Sequence, residues 1–265
     1  MSSLRVDQML VARGLAPSRS AAQRLIEARA VWVSNQGEEP IAVRKSGLLV
    51  EQNTVLTVTS DAQLRYVSRA GLKLERALAS FELSPLNCCV LDVGQSTGGF
   101  TDCLLRHGAA AVVGVDVGHS QLHTSLRDNR QVKWFERLNI RDPQTLVVLG
   151  DQALSMGFID ARYPFAVIDV SFVSLLKVLP AVRQLLSHQA DCIALFKPQF
   201  EVGKQGLNKA GIVRNEALTN EARLAFVDGL CSVGFALKAT VDSPISGSDG
   251  NREFLYHLKT IDHKS

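Results

Sequence analysis

Apolar residues alternate between short runs and helical spacings through most of the chain, and the order of the two patterns sets the expected fold. Residues 88–93 form a short apolar run that fits a buried strand. Gly94-Gln-Ser-Thr-Gly-Gly follows, and then Phe100, Leu104 and Leu105 recur at helical spacing. The reading is strand, glycine-rich turn, helix. Further strands are predicted at 111–115, 132–135, 164–168, 191–196, 237–243 and 253–259, with helices near 121–128, 143–149, 173–187 and 215–232. Such alternation implies a doubly wound α/β fold with a mostly parallel seven-stranded sheet. The last two strands follow one another with no helix between them, as an antiparallel C-terminal hairpin requires. Before the first strand, residues from Tyr66 onward open an amphipathic helix that turns Leu72, Leu74, Ala77, Leu78 and Phe81 inward.

The first 60 or so residues follow a different pattern, two short helices and then strands. Val6, Met9 and Leu10 share one side of a helix that stops at Gly14. A second helix starts at Ser18, with Ala21, Ala22, Leu25 and Ile26 as its buried stripe and Arg19, Gln23, Arg24 and Glu27 on an exposed polar face. Thr59 to Gln63 is short and polar, a compact linker. The expected domains are therefore 1–62 and 63–265, with 63–70 as the connecting region.

Composition agrees with one medium and one small domain: 265 residues, 46% hydrophobic, can bury one large core and leave a small module besides. A net charge of +3 and a pI of about 8.6 are mild, so distribution matters more than the total. The first 30 residues hold Arg5, Arg13, Arg19, Arg24 and Arg29 against Asp7 and Glu27, a local excess suited to phosphate. No apolar run is long enough to span a bilayer and the N-terminus is unlike a signal peptide, so the expectation is a cytoplasmic protein without membrane attachment. Five cysteines without a Cys-x-x-Cys pair suggest neither a disulfide framework nor a zinc ribbon. His119 and His123 have helical metal-site spacing but no evident third ligand, so no metal is expected.

The glycine-rich turn carries the chemistry. Gly94, Gly98 and Gly99 let backbone approach a ligand and leave N–H groups free at a helix start, where carboxylate or phosphate is favoured. Asp116 ends the next strand, placed to accept hydrogen bonds from ribose hydroxyls. A Gly-x-Gly-x-x-Gly dinucleotide fingerprint fails at its second glycine, and no Gly-Lys-Ser/Thr marks a P-loop. S-adenosylmethionine fits best, ahead of NAD or a ligand-free structural turn. Its expected binding set is Gly94, Ser96, Thr97, Gly98, Gly99, Phe100, Asp116, Asn139, Ile140 and Asp169. Asp169, Lys197 and Glu253 stand where apolar strands run out or begin, on the rim where open parallel sheets bind ligands. Phe172 and Phe200 lie nearby, with core packing the simpler role for either and base stacking the functional one.

Two resemblances sharpen this. Arg5-Val-Asp-Gln-Met-Leu-Val-Ala-Arg-Gly-Leu, Ser18-Arg-Ser-Ala-Ala-Gln-Arg-Leu-Ile and Val31-Trp-Val-Ser-Asn resemble the S4 RNA-binding domain, with Arg29 where that family commonly has glycine. Ser68-Arg-Ala-Gly-Leu-Lys, Leu91-Asp-Val-Gly-Gln-Ser-Thr-Gly-Gly-Phe-Thr, Asp116-Val-Gly, Glu136-Arg-Leu-Asn-Ile-Arg, Ile168-Asp-Val-Ser-Phe-Val-Ser-Leu, Lys197-Pro-Gln-Phe-Glu-Val-Gly and Ser243-Pro-Ile-Ser-Gly-Ser-Asp-Gly-Asn-Arg-Glu-Phe resemble the TlyA family, often labelled hemolysin A. Its catalytic domain is similar to the FtsJ ribose methyltransferases. The resemblance implies a Rossmann-like methyltransferase fold behind a small α+β S4 domain, S-adenosylmethionine as cofactor, and a catalytic set of Lys73, Asp169, Lys197 and Glu253. It also implies ribosomal RNA or a ribosomal subunit as partner, with no obligate protein partner. Arg5, Arg13, Arg19, Arg24 and Arg69 are the expected RNA contacts. The implied target is a cytidine ribose, with the large subunit favoured because the chain ends soon after its last strand begins.

The implied reaction explains the residue types. A ribose 2′-hydroxyl is a very weak acid, so a base must take its proton as it attacks the methyl group in line. Lys197 is expected to be that base, its amine brought down from about 10.4 by burial beside the Lys73 ammonium. Asp169 would orient Lys197 and lie near the methionine amine; Glu253 would position Lys73 and the hydroxyl. The chain has neither the Pro-Pro-aromatic motif of amine methylation nor the Pro-Cys of cytosine C5 methylation. Two other classes stay open from sequence: a membrane-lysing protein, as the hemolysin label suggests, and an RNA-binding protein whose methyltransferase fold is inactive.

Overall fold

The computed structural model describes residues 3–27, 30–34, 40–58, 65–156, 161–247 and 249–261. The chain divides into two compact units, Met1–Arg69 and Ala70–Ser265. Arg29 and the Thr59–Gln63 linker, both singled out from sequence, lie outside the described residues.

In the first unit, β1 (Ser3–Arg5) leads into α1 (Val6–Ala12) and α2 (Arg19–Glu27), followed by β2 (Val31–Ser34), β3 (Ile41–Ala42), β4 (Leu49–Glu51) and β5 (Val55–Val58). β2 is central, antiparallel to both β3 and β5, while β1 pairs with β4. The three-residue β1 is too short to leave a periodic signal in the sequence. Ser18 Oγ accepts from the Ala21 N–H at 3.2 Å, capping α2, and Val6, Leu10, Ala21, Ala22, Leu25 and Ile26 are buried as the wheel requires. The polar face of α2 is less exposed than expected. Gln23 and Arg24 are half-buried, and Gln23 Nε2 donates to Asp7 Oδ2 at 3.3 Å.

The second unit begins with α3 (Ala70–Phe81) and runs through β6 (Cys89–Val93), α4 (Gly99–Arg106), β7 (Ala111–Asp116), α5 (Thr124–Arg127), β8 (Val132–Glu136), α6 (Pro143–Ser155) and β9 (Tyr163–Ile168). It ends with α7 (Leu175–Leu185), β10 (Leu186–Phe196), α8 (Glu216–Leu230), β11 (Phe235–Asp242) and β12 (Phe254–Thr260). The seven strands order as β11-β12-β10-β9-β6-β7-β8. β12 is antiparallel to both of its neighbours and all other pairs are parallel. β6, β9 and the Cys192–Phe196 half of β10 are almost wholly buried, as strands covered by helices on both faces must be. The chain steps outward from β6 to β7 and β8, then returns to the other side of β6 with β9. That reversal creates a switch point at the C-terminal ends of β6 and β9.

Three expected helices need correction. The predicted helix at 121–128 is only the turn Thr124–Arg127, because His123 is extended, at φ −61° and ψ 139°, with its N–H donating to Thr97 O at 3.2 Å. His119 and His123 therefore do not share a helix face; His123 is the N-cap of that turn. The helix at 143–149 continues to Ser155, through Gly150. The helix at 173–187 ends at Leu185, because Leu186 turns to extended backbone and starts β10 early.

Candidate active site

A cavity of about 460 Å³ opens at the switch point, lined by the ends of β6, β7 and β9 and the loops that follow them. Its volume suits a nucleoside-sized ligand. Gly94 sits in its wall with φ 85°, and a Cβ there would lie 2.2 Å from the Asp169 carbonyl oxygen. The Asp169 N–H in turn donates to Val93 O at 2.9 Å, so the glycine turn and the end of β9 are fastened backbone to backbone. The Asp116 carboxylate accepts from the Ser96 N–H at 2.8 Å and the Gly118 N–H at 2.6 Å. It thus fixes the two loops flanking the cavity while still lining it.

Of the expected cofactor residues, Gly94, Ser96, Asp116, Asn139, Ile140 and Asp169 line this one cavity. Thr97, Gly98, Gly99 and Phe100 are not among its lining residues. Gly98, at φ 91°, leaves room for Leu122 and Leu126, and Phe100 is buried. Gln121 and Arg141 also line the cavity; Arg141 closes the Glu136-Arg-Leu-Asn-Ile-Arg motif, while Gln121 carries no pattern in the sequence that would single it out.

The four polar residues from distant parts of the chain meet in two ion pairs. Lys73, on the covered face of α3, pairs with Glu253 just before β12, and both are buried. Lys197, at the end of β10, lies with its Nζ 2.6 Å from Asp169 Oδ1 and donates to Ser171 Oγ at 3.0 Å. Burial pushes the Glu253 carboxyl above the usual glutamate range; Lys73 and Lys197 pull it back and Asp169 raises it further. The other three charges therefore all act on Glu253. The pairing is ammonium to carboxylate, Lys197 with Asp169 and Lys73 with Glu253, the partners the sequence reading expected beside its suggestion that Lys73 acts on Lys197.

Beneath the turn, Asp92 is fully buried in β6. Its Oδ2 accepts from Thr101 Oγ1 at 2.6 Å, and that hydroxyl accepts from Gln95 Nε2 at 2.8 Å. Burial, with the nearby Asp169 and Asp116 charges, pushes its carboxyl up to about 7. At the cavity mouth the expectation of core packing fails for Phe172. Its side chain is 91% exposed at a left-handed φ of 64°, with its ring 5.1 Å from that of Phe200. Glu201 Oε1 accepts from the Leu175 N–H at 2.9 Å, tying the segment after Lys197 to the start of α7.

In the first unit the expected RNA contacts are not equivalent. Arg5 and Arg19 both reach the fully covered Asp7, at 3.0 and 3.3 Å, and Arg13 donates to the carbonyls of Thr54 and Gln52 at 2.7 and 2.5 Å. Arg24 is half-buried with its Nε fully covered, and Arg69 is half-buried. A cleft of about 640 Å³ beside them is lined by Gln23, Glu27, Arg44 and Lys45. Arg44-Lys45-Ser-Gly between two strands was the available signal for those two exposed cations.

A doubly wound sheet closed by an antiparallel strand, with an acidic nucleoside-sized cleft at its switch point, defines a Rossmann-type methyltransferase fold. Residues 66–260 match the FtsJ-like methyltransferase family and residues 4–36 match the S4 domain. The chain belongs to the TlyA branch of these FtsJ-like methyltransferases, as its motifs imply. It is 39% identical over 256 residues to the 16S/23S rRNA (cytidine-2′-O)-methyltransferase TlyA of Mycobacterium tuberculosis, covering 97% of this chain and 90% of that one. It is 34% identical to Hemolysin A of Brachyspira hyodysenteriae, covering 96% and 99%. A solved structure from Streptococcus thermophilus, described as a candidate hemolysin, superposes with a TM-score of 0.72 at 38% identity, covering 99% of this chain and 90% of that one. Among the described residues no helix is long and apolar enough to cross a membrane.

Proposed function

We propose that this chain transfers a methyl group from S-adenosylmethionine to a ribose 2′-hydroxyl of ribosomal RNA, at a cytidine of the large subunit, in the cytoplasm. Residues 63–265 form the catalytic domain and 1–62 the RNA-delivery domain. The observation that carries this reading is the meeting of Lys73, Asp169, Lys197 and Glu253 in two ion pairs, Lys73–Glu253 buried and Lys197–Asp169 half-buried, with Asp169 also lining the nucleoside-sized cavity. The names of TlyA relatives from two other organisms support the reaction type.

The cavity fits the cofactor on its own chemistry. Asp116 suits ribose hydroxyls, Asp169 a cationic amine, and Leu138, Ile140 and Val178 supply apolar walls for a purine. When bound, the cofactor supplies an electrophilic methyl group on a sulfonium centre. Once its ammonium has given up a proton to solvent, the neutral Lys197 Nζ, held in place by Asp169 and Ser171, accepts the proton of the attacking hydroxyl. Glu253 keeps Lys73 aimed at the same oxygen, where its ammonium stabilises developing negative charge.

Labelled cofactor and ribosomal RNA from cells lacking the protein test the reading, with the label mapped to sugar or base. Label on a 2′-oxygen is expected. Lys197→Ala is expected to reduce transfer at least 10²-fold while cofactor binding by calorimetry persists. Label on a base, or full turnover by that variant, would reject the mechanism.

A further inference from the structure

Beyond the ion pairs, residues 203–215 form a loop whose charge and bracing have no part in holding the cofactor. Lys204, Lys209 and Arg214 are exposed, and the stretch contains no aspartate or glutamate. Among the described residues, no ion pair ties any of the three cations to a carboxylate. A loop serving only as a connection would be free to move. This one is braced from within: Asn208 Oδ1 accepts from the Ala210 and Ile212 N–H groups at 2.8 and 3.0 Å, and Leu207 bridges Val213 in antiparallel fashion. Arg214 closes its base, its N–H donating to Gly206 O and its Nε to Leu207 O at 2.9 Å.

It is also fastened to the reacting groups from two sides. Five residues of chain, 198–202, separate it from Lys197. On the other side Asn251, 2% exposed and two residues before Glu253, accepts from the Val213 N–H at 3.0 Å and donates to Gly211 O at 3.0 Å. Pro198, Ile212 and Asn251 line one small cleft between these segments. Three unpaired cations on a rigid support, held in fixed relation to Lys197 and Glu253, make a preorganised seat for phosphates close to a reacting ribose.

We propose that this loop grips the RNA backbone flanking the target nucleotide, a contact separate from the RNA-delivery domain. The inference rests on the reading of the protein as an RNA methyltransferase and adds where on the catalytic domain the substrate strand is held.

The test is the salt dependence of binding to unmodified large-subunit ribosomal RNA transcribed in vitro, with the full chain and the double variant Lys204→Ala/Lys209→Ala. Arg214 is left in place because its Nε holds the loop. Two lost phosphate contacts are expected to flatten the slope of log affinity against log salt by about 1.5, and to weaken binding about tenfold at about 0.1 M salt. Cofactor affinity and melting temperature should not move, and Lys204→Arg/Lys209→Arg should keep the original slope. An unchanged slope in the alanine variant, with the unaltered protein still methylating the RNA, would make this a solvated surface loop and overturn the inference alone. An unaltered protein that neither binds nor methylates that RNA would bring down the proposed function and this inference with it.

Discussion

Asp92 shows how one buried side chain sets a pH response. Its raised native value, about 7 against an ordinary 3.8, means that the folded protein holds the proton more tightly than the unfolded chain does. Stability from this group is therefore greatest in acid, declines as pH rises between the two values, and levels off above about 7. Asp92→Asn removes the titration while keeping a group that can meet Thr101. Its melting temperature is expected to exceed that of the unaltered protein at pH 8 and to approach it near pH 4; an equal offset at both would contradict the assignment. Phe172 shows the opposite economy, an apolar ring left in water on strained backbone, a conformation that costs about 1–3 kcal/mol. Phe172→Ala is expected to leave melting unchanged or improved while raising KM for RNA roughly tenfold, since stacking on a base is worth about 1–3 kcal/mol. Asp169 and Lys197 are legible in sequence because each marks the point where a strand's apolar run stops. The Asp92–Thr101–Gln95 chain and the exposure of Phe172 are not, because both depend on where side chains meet after strands and helices pack.

At the scale of elements, the turn from Gly94 to Gly98 falls where the sequence pattern places it, between β6 and α4, and it is where a single methyl group does most harm. Gly94→Ala would place its Cβ 2.2 Å from the Asp169 carbonyl oxygen, on backbone already at φ 85°. Neither neighbour can yield, since the Gly94 N–H is bound to Val115 O and the Asp169 N–H to Val93 O. The variant is expected to lose about 3 kcal/mol of stability and more than tenfold in cofactor affinity, read by thermal unfolding and calorimetry. Strands were easier to place than helices, because their apolar runs are continuous and buried. The short α5 departs from the 121–128 expectation because His123 is held in extended backbone, φ −61° and ψ 139°, with its N–H donating to Thr97 O at 3.2 Å. That acceptor lies in the glycine-rich turn, far back in the chain, so a local window cannot register it.

At the scale of the whole molecule, the two units keep separate cores, and a buried charge governs the smaller one. The sequence shows an arginine excess near the N-terminus, but not that two of those arginines face a carboxylate with no exposure of its own. Asp7 accepts from Arg5, Arg19 and Gln23 side chains and from the Gln8 N–H, and Arg5 above all holds its carboxyl far below the usual range. Its contribution is therefore fully present above about pH 4 and is lost only as pH falls toward the depressed native value. Asp7→Ala leaves two arginines facing each other without their counter-charge. The loss is expected to be about 2 kcal/mol, less than for a fully buried pair because both guanidinium groups stay half in solvent. The two tryptophans report on the units separately, Trp32 in β2 and Trp134 in β8. With Trp134→Phe as background, the Trp32 transition is expected to fall by roughly 10 °C in Asp7→Ala. With Trp32→Phe as background, the Trp134 transition should hold, and cofactor affinity with it, because every residue lining that cavity lies in the second unit. If both transitions fell together, the two units would share one cooperative fold, and Asp7 would be a determinant of the whole chain rather than of its first unit.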